Sequence, residues 1–299
     1  MNRDLAGRVE TSIIKSSTAK RIAAPLDGLL NRSFQTTALR PLKLFLNGTW
    51  LGHPLHPLLT DVPIGAWTVA ILLDLISLLL GAPELGSAAA IAIGLGILGA
   101  LAAAAAGLMD WMDVDPPEKA VGVTHGILNT SATVLFAISL LMRRESQWGP
   151  TVGSFLVALT GYLLVSGGAY LGGGMVFRMG VMINRNAYRK GPDDFLPALA
   201  VADLREGQLK RVEISGQPIL LFRSGERIHA IGAVCSHYGA PLEEGKLQGS
   251  TIQCPWHFSR FALDDGSVCE GPACAAVPAY EVRVTKGQVE IKLRRMFES

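Results

Sequence analysis

The stretch CSHYGAPLEEGKLQGSTIQCPWH, from Cys235 to His257, holds two cysteines and two histidines as matched pairs, Cys-x-His and Cys-x-x-His. Sixteen residues separate His237 from Cys254. Thiolate sulfur and neutral imidazole nitrogen are ligands for borderline metals, and two chemistries use this donor set. Zinc takes Cys2His2, but the usual finger presents both cysteines first and both histidines after them. Here each loop supplies one of each. A [2Fe–2S] cluster can instead be held by two thiolates on one iron and two imidazoles on the other. Imidazole is the weaker donor, so the histidine-bound iron is easier to reduce and the potential rises above that of an all-cysteine cluster.

The elements around these residues read as strands. VEIS, PILLFR, RIHAIGAV, TIQC, YEVRVTK and QVEIKL are short and rich in β-formers, and Ser-Gly-Gln-Pro, Ser-Gly-Glu and Asp-Asp-Gly-Ser separate them. This predicts a small soluble all-β domain over 196–299, with 179–195 as its linker. The domain resembles the Rieske ferredoxin family over about residues 196 to 293, through CSHYGAPLEEG, CPWHFSRFALDDGSV and GPACAAVPAYEV. That resemblance implies that Cys235 and Cys254 hold a buried iron, that His237 and His257 hold an outer iron close to the surface, and that partners dock at the histidine edge.

The resemblance also marks departures. Quinol-complex Rieske proteins carry an extra cysteine in each ligand loop, joined as a disulfide; Ala240 and Trp256 occupy those places here. The pattern is closer to the ferredoxins of ring-hydroxylating systems, which implies a potential toward the lower part of the range of about −150 to +300 mV. Ser259 stands where quinol-type proteins bond a serine to a bridging sulfide, which raises the potential. Phe261 stands where a tyrosine would help further, and Phe258 replaces a glycine often found after the second histidine. Tyr238, next to His237, is expected to flank the cluster together with Ser259. His229 is read as an ordinary strand residue, and Cys269 and Cys274 as small buried thiols.

The first half has a different composition. The whole chain is 49% hydrophobic and only 17% charged, and residues 62 to 177 are dominated by Leu, Ala, Ile, Gly and Val. Four segments, about Pro63–Leu80, Leu85–Met109, Gly122–Met142 and Thr151–Val176, reach the roughly 20 apolar residues that cross a bilayer. They predict a membrane all-α four-helix bundle over 51–178. Gly94, Gly96, Gly99 and Gly168-Ala-Tyr-Leu-Gly172 mark faces where helices approach closely. This half resembles an uncharacterised family of four-helix bacterial membrane proteins over about residues 45 to 190, through the GHPLHP-type motif GHPLHPLLTDVPIGAW, GLMDWMDV and THGILNTSATVLFAISL. That resemblance adds topology and little chemistry.

No secretory signal is read at the N-terminus, because the first continuous apolar core begins near Pro63. Residues 1–50 form a basic segment. Leu5, Val9, Ile13, Ile22, Leu26 and Leu29 recur at helical spacing with Arg8, Lys15, Lys20 and Arg21 between them. This fits either an amphipathic helix on a membrane surface or a mobile tail. Eight Lys and Arg in residues 1–61, Lys119 and four from Arg178 to Lys190 face only Arg143 and Arg144. The bias places both termini and the β-domain on the cytoplasmic side of the cell membrane. The formal charge of +2 lacks the basic patch of a nucleic-acid binder.

His53, His56 and Asp61 then precede the first span, Asp110, Asp113 and Asp115 follow the second, and His125 opens the third. The water-facing reading is an interfacial helix end. The chemical reading is a second redox or metal site of His53, His56, His125 and Asp110, with haem b, a non-haem metal or a quinone as its cofactor. Asp74 lies about twelve residues into the first span, at a depth where an acid needs a partner. No Lys or Arg lies within the spans, so Thr160, Tyr162 and Ser166 are its expected hydrogen-bond partners.

A terminal Rieske oxygenase also needs a mononuclear iron held by two histidines and a carboxylate. Six histidines, two of them in the cluster motif, leave no room for that second domain. The expected function is a membrane-anchored electron-transfer protein with a redox partner, a reductase or an acceptor. The alternatives are a redox or iron sensor, or a two-centre oxidoreductase with haem or quinone in the bundle.

Overall fold

The computed structural model describes residues 5–34, 38–189 and 191–294. The chain forms two compact units, one of helices through Val181 and one comprising Gly48–His53 and the chain from Met182 onward.

In the first unit, four helices are long and apolar enough to cross a membrane: α4 (Leu55–Leu80), α5 (Pro83–Met112), α6 (Pro116–Met142) and α7 (Val152–Phe177). At 1.5 Å per residue each is about 39–45 Å long, beyond the roughly 30 Å hydrocarbon core. Their starts are set locally. Proline opens α5 and α6, where its missing N–H costs nothing. Thr151 and Ser154 cap α7 reciprocally, Ser154 N donating to Thr151 Oγ1 at 3.1 Å and Thr151 N to Ser154 Oγ at 2.9 Å. The helices neighbour one another in the order α4–α5–α6–α7–α4, an up-down-up-down bundle. Large side chains such as Leu79, Ile91, Leu98 and Leu163 point outward, while Trp67, Phe136, Ala70, Ala132 and Ala158 fill the centre. An apolar exterior of this kind suits lipid, not water.

α4 begins eight residues before Pro63, and the helix runs on through this buried proline. His56 and Asp61 therefore lie within the helix, as do Asp110 in α5 and His125 in α6. Asp74 consequently stands near the far end of α4, and its partner is Arg143, the residue after α6, not the hydroxyls expected. Arg143 Nη1 and Nη2 donate to Asp74 Oδ1 and Oδ2 at 2.6 and 2.5 Å, with both side chains fully buried. Thr160 and Ser166 donate instead to carbonyls of their own helix, and Tyr162 pairs with Thr68. An arginine counted as a loop charge folds back because a buried carboxylate demands a bidentate cation.

The bundle repeats itself. His56, Trp67 and Asp74 of α4 lie 69 positions before His125, Phe136 and Arg143 of α6 (56 to 125, 67 to 136, 74 to 143), and each touches its own equivalent. The imidazoles are 6.1 Å apart, the aromatic rings stack at 4.2 Å, and the third pair is the ion pair. Spacings of 11 and 7 residues keep all three on one helix face. A residue meets its own equivalent only where a twofold axis passes between them. The hairpins α4–α5 and α6–α7 are thus related by an approximate twofold along the bundle, the parallel-repeat arrangement known in membrane proteins.

The N-terminal segment forms α1 (Leu5–Lys15), α2 (Ser17–Phe34) and α3 (Arg40–Asn47). Its apolar face covers protein. Ala23, Leu26 and Leu30 pack with Met109, Trp111, Met112 and Val123, while the expected Ile22 and Leu29 are exposed. Charge pairs fasten it: Glu10 with Arg178 at 3.0 Å, Lys43 with Asp113 at 2.6 Å, and Asp27 with Lys119.

The second unit is all-β. β1 (Leu196–Ala200), β10 (Gln288–Leu293) and β9 (Tyr280–Thr285) form one antiparallel sheet; β2 (Leu209–Ile214), β3 (Gln217–Ser224) and β4 (Arg227–Gly232) form a second. Ile219, Leu221, Ala230, Val289 and Ile291 share the core these two contribute to. β5 (Lys246–Gln248), β6 (Thr251–Gln253), β7 (Arg260–Ala262) and β8 (Val268–Glu270) make a third, short-stranded sheet. Short strands leave long connections, and the cysteines and histidines sit on them.

Candidate metal centre

Two loops present the four residues. The first follows β4, and the second joins β6 to β7. They share one geometry. Cys235 N donates to Ala240 O at 2.9 Å and Cys254 N donates to Ser259 O at 2.7 Å, so each cysteine closes a turn onto the residue five positions later. Each turn needs a left-handed residue at its fifth place. Gly239 takes it at φ +85°, and Phe258 takes it at φ +63°. The absent glycine therefore leaves its backbone conformation behind, carried by an exposed phenylalanine.

Both cysteines are buried in a core with Ile231, Leu242, Ile252 and Phe261. Their thiols hydrogen-bond each other. The backbone N–H groups of His237 and Tyr238 point at Cys235 sulfur, and those of Trp256 and His257 at Cys254 sulfur. The shared hydrogen bond, aided by these amides, draws Cys254 down to about 7, while the same bond and burial push Cys235 up. One member of the pair is thus readily a thiolate, the form that binds metal.

His237 and His257 stand side by side, ring centres 5.0 Å apart and planes perpendicular, with Tyr238 4.8 Å from the first and 5.4 Å from the second. His237 is buried; His257 is half-buried between exposed Trp256 and Phe258. No three of the described His, Cys, Asp or Glu side chains converge on one point. The four instead stand as a cysteine pair and a histidine pair, the division a two-iron cluster uses.

Two segments that sequence reasoning left without a role brace the loops. In the connection after β8, Ala273 N donates to the buried Ser259 Oγ at 3.0 Å, and Ala275 O accepts from Ser236 Oγ at 2.5 Å. A Cβ on Gly271 would lie 2.4 Å from Ser259 Cα. The linker is the other brace. Arg185 N donates to Ser236 O at 3.0 Å, Asn186 Nδ2 donates to Val234 O at 2.9 Å, and the Arg185 guanidinium lies 5.7 Å from the Tyr238 ring centre. GPACAAVP was visible as part of a motif; nothing local marks the linker.

The domain matches the Rieske [2Fe-2S] domain over residues 194–281, and residues 52–185 match the family described as predicted membrane protein (DUF2231). Ferredoxin CarAc of Metapseudomonas resinovorans is 31% identical over 98 residues, 32% of this chain and 92% of its own length. The chain belongs to the Rieske [2Fe-2S] family. Apoptosis-inducing factor 3 of Mus musculus is 34% identical over 103 residues, which is 34% of this chain but only 17% of the relative's length. A solved ferredoxin of carbazole 1,9a-dioxygenase from Nocardioides aromaticivorans IC177 is similar at 25% identity, with a TM-score of 0.32, covering 33% of this chain and 98% of that one.

The remaining predicted residues fall elsewhere. His56 and His125 meet in the bundle. Asp110 is apart from them and accepts from Asn47 Nδ2 at 2.8 Å. His53 is exposed and belongs to the second unit. Cys269 is exposed and Cys274 half-buried, correcting their reading as buried thiols; both lie on the outer part of β8 and its following loop, away from the β-domain core. His229 lies in β4 with Nδ1 3.0 Å from Asp264 Oδ1.

Proposed function

We propose that this chain is a membrane-anchored electron-transfer protein whose Rieske domain moves single electrons between redox partner proteins on the cytoplasmic side. The observation that carries the reading is the pair of matched ligand loops, which hold two buried cysteines as one pair and two adjacent imidazoles as another. Cys235 and Cys254 would hold one iron, and His237 and His257 the other. The cluster, when bound, supplies a one-electron couple. The chain's residues tune and present it. Four backbone amides direct N–H groups at the thiolates and stabilise their charge. Ser259 supplies a hydroxyl, and the loop after β8 holds that hydroxyl in place. Trp256 and Phe258, about half exposed, flank His257 as an apolar rim against which a partner excludes water.

Several features support the rest. Ferredoxin CarAc is matched over 92% of its own length by 32% of this chain, which suits a carrier passing electrons onward. The outward-facing leucines and isoleucines of α4–α7 suit an anchor in lipid. The Lys and Arg bias favours the cytoplasmic side, and burying Arg143 within the bundle removes one of the two opposing charges.

The test is reduction of the iron-replete, detergent-purified full chain. Dithionite should bleach the visible absorption broadly and produce a [2Fe–2S] EPR signal, and both should vanish in Cys235→Ser and His257→Ala. A reductase and an acceptor should then cycle the signal. Iron-replete protein without bleach or signal would overturn the cluster assignment; a cluster that is reduced but never reoxidised by any acceptor would overturn the carrier role.

A further inference from the structure

The twofold repeat of the helical unit brings one imidazole from each hairpin to its axis. Both are held in the same way. His56 Nδ1 is 2.8 Å from Ala103 O of α5, and His125 Nδ1 is 2.8 Å from Gly168 O of α7. Four residues further on in each acceptor helix stands a glycine. A Cβ on Gly107 would lie 2.7 Å from the His56 ring, and one on Gly172 would lie 3.0 Å from the His125 ring. Acceptor carbonyls and glycines alike are 65 positions apart (103 to 168, 107 to 172), so the repeat preserves the whole cradle.

A carbonyl can only accept. Each Nδ1 must therefore carry the proton, and each Nε2 keeps its lone pair. A backbone-anchored Nδ1–H that orients the ring and leaves Nε2 to bind is the usual preparation of a metal-binding histidine. Among the described residues, His56 Nε2 has no hydrogen-bond partner. Beside His125, Asn129 Nδ2 is 3.3 Å from Nδ1 and 3.2 Å from Nε2. These near-equal distances put the amide over the ring face, out of line with the Nε2 lone pair. Its own bond runs to His125 O at 2.8 Å.

The separation also fits. A metal between two Nε2 atoms needs ring centres roughly 6 Å apart, from metal–nitrogen bonds of about 2.0–2.1 Å and about 1.1 Å from nitrogen to ring centre on each side. The observed value is 6.1 Å, with ring planes at 83°. Perpendicular planes still cross along a line, and a metal on that line lies in the plane of both rings.

We propose that His56 and His125 form a paired-imidazole metal site on the twofold axis of the helical unit, taking a d-block metal by Nε2 from each repeat. The metal is either a free ion such as copper or the iron of a haem. The chemistry asked of the protein is the same: two neutral, pre-oriented nitrogen donors. The inference is independent of the electron-carrier reading.

The experiment uses the full chain in detergent, as purified and after anaerobic addition of copper, zinc or haem, beside His56→Ala, His125→Ala and the double variant. Metal content beyond the cluster irons identifies a free ion, and the pyridine haemochrome spectrum identifies haem. Both are read together with the cluster EPR signal, which reports that the β-domain is intact. The wild type should hold the second metal. Each single variant should bind it at least about 10–100-fold more weakly, since even loss of an outer partner has that effect. His125→Gly with added imidazole should recover it, which a merely structural histidine would not do. Should the alanine variants fail to fold, pulsed EPR of the wild-type copper or haem adduct decides: two imidazole remote nitrogens support the site, and none overturns it. A wild type that takes up no second metal, or a double variant that binds as the wild type does, overturns it as well.

Discussion

Replacing Ser259 by alanine should lower the reduction potential of the cluster without removing the cluster. Ser259 is fully buried, and its Oγ already accepts the Ala273 N–H at 3.0 Å. An N–H cannot accept, so the hydroxyl hydrogen is directed elsewhere, and no acceptor for it lies among the described residues. A cluster held by Cys235, His237, Cys254 and His257 would supply that acceptor, as the resemblance to the Rieske family implies. Reduction adds a negative charge to the cluster, and the hydrogen bond strengthens with it. A hydrogen bond to a charged group contributes about 1.5–3 kcal/mol. At about 59 mV and 1.4 kcal/mol per factor of ten for one electron, roughly 65–130 mV is the upper limit, reached if the bond stabilises the reduced form alone. The sign is downward, because the reduced form loses more. The variant also leaves the buried Ala273 N–H without its acceptor, a folding cost of about 1–3 kcal/mol. Cluster occupancy must therefore be measured alongside the potential. Potentiometric EPR titration of the full chain gives both. A fully loaded variant whose midpoint stays within the error of the parent would refute the placement of that hydrogen.

Three further outcomes follow from particular residues. Phe258→Gly should stabilise the β-domain by roughly 0.5–1 kcal/mol, because relieving a left-handed φ yields about 1–2 kcal/mol and glycine's extra unfolded freedom takes back about 0.4–1. Denaturant titration reads this, and a clear loss of stability would mean the exposed ring is packed against something that matters. Arg143→Met should cost the helical unit about 3–5 kcal/mol by stranding Asp74, whereas Asp74→Leu combined with Arg143→Met should recover most of it; thermal unfolding in detergent checks this, and a single variant as stable as the double would contradict it. Burial raises the Tyr280 phenol to about 12. A phenol held neutral by the fold stabilises it below the unfolded value near 10, and that contribution, up to about 2–3 kcal/mol, is lost as pH rises from 10 towards 12. Alkaline denaturation should therefore steepen in that window and flatten in Tyr280→Phe, and an unchanged profile would contradict the burial argument.

The sequence by itself determined what depends on residue type and local pattern. Cys235, His237, Cys254 and His257 name a donor set whatever the fold, because sulfur and imidazole chemistry is intrinsic to the side chains. Four apolar runs name the spans, because transfer into lipid is nearly additive along a helix. The positions where helices begin were less legible. A proline at 63 reads as a boundary, yet the helix runs through it from Leu55, because a proline removes only one backbone bond and packing against the neighbouring helices holds the turns on either side. The repeat was legible in principle: a histidine, an aromatic residue eleven positions on and a charge seven further occur twice. Hydropathy hides it, since the residues between are interchangeable leucines, isoleucines and alanines. Tertiary structure alone decided the rest. Arg143 reads as a loop charge until α6 sets it beside Asp74, and Arg185 reads as linker until its backbone meets Ser236. His56 and His125 form a pair only because two hairpins close on a twofold axis. Each of these contacts joins residues tens of positions apart, and their energy exists only when the intervening chain has already packed.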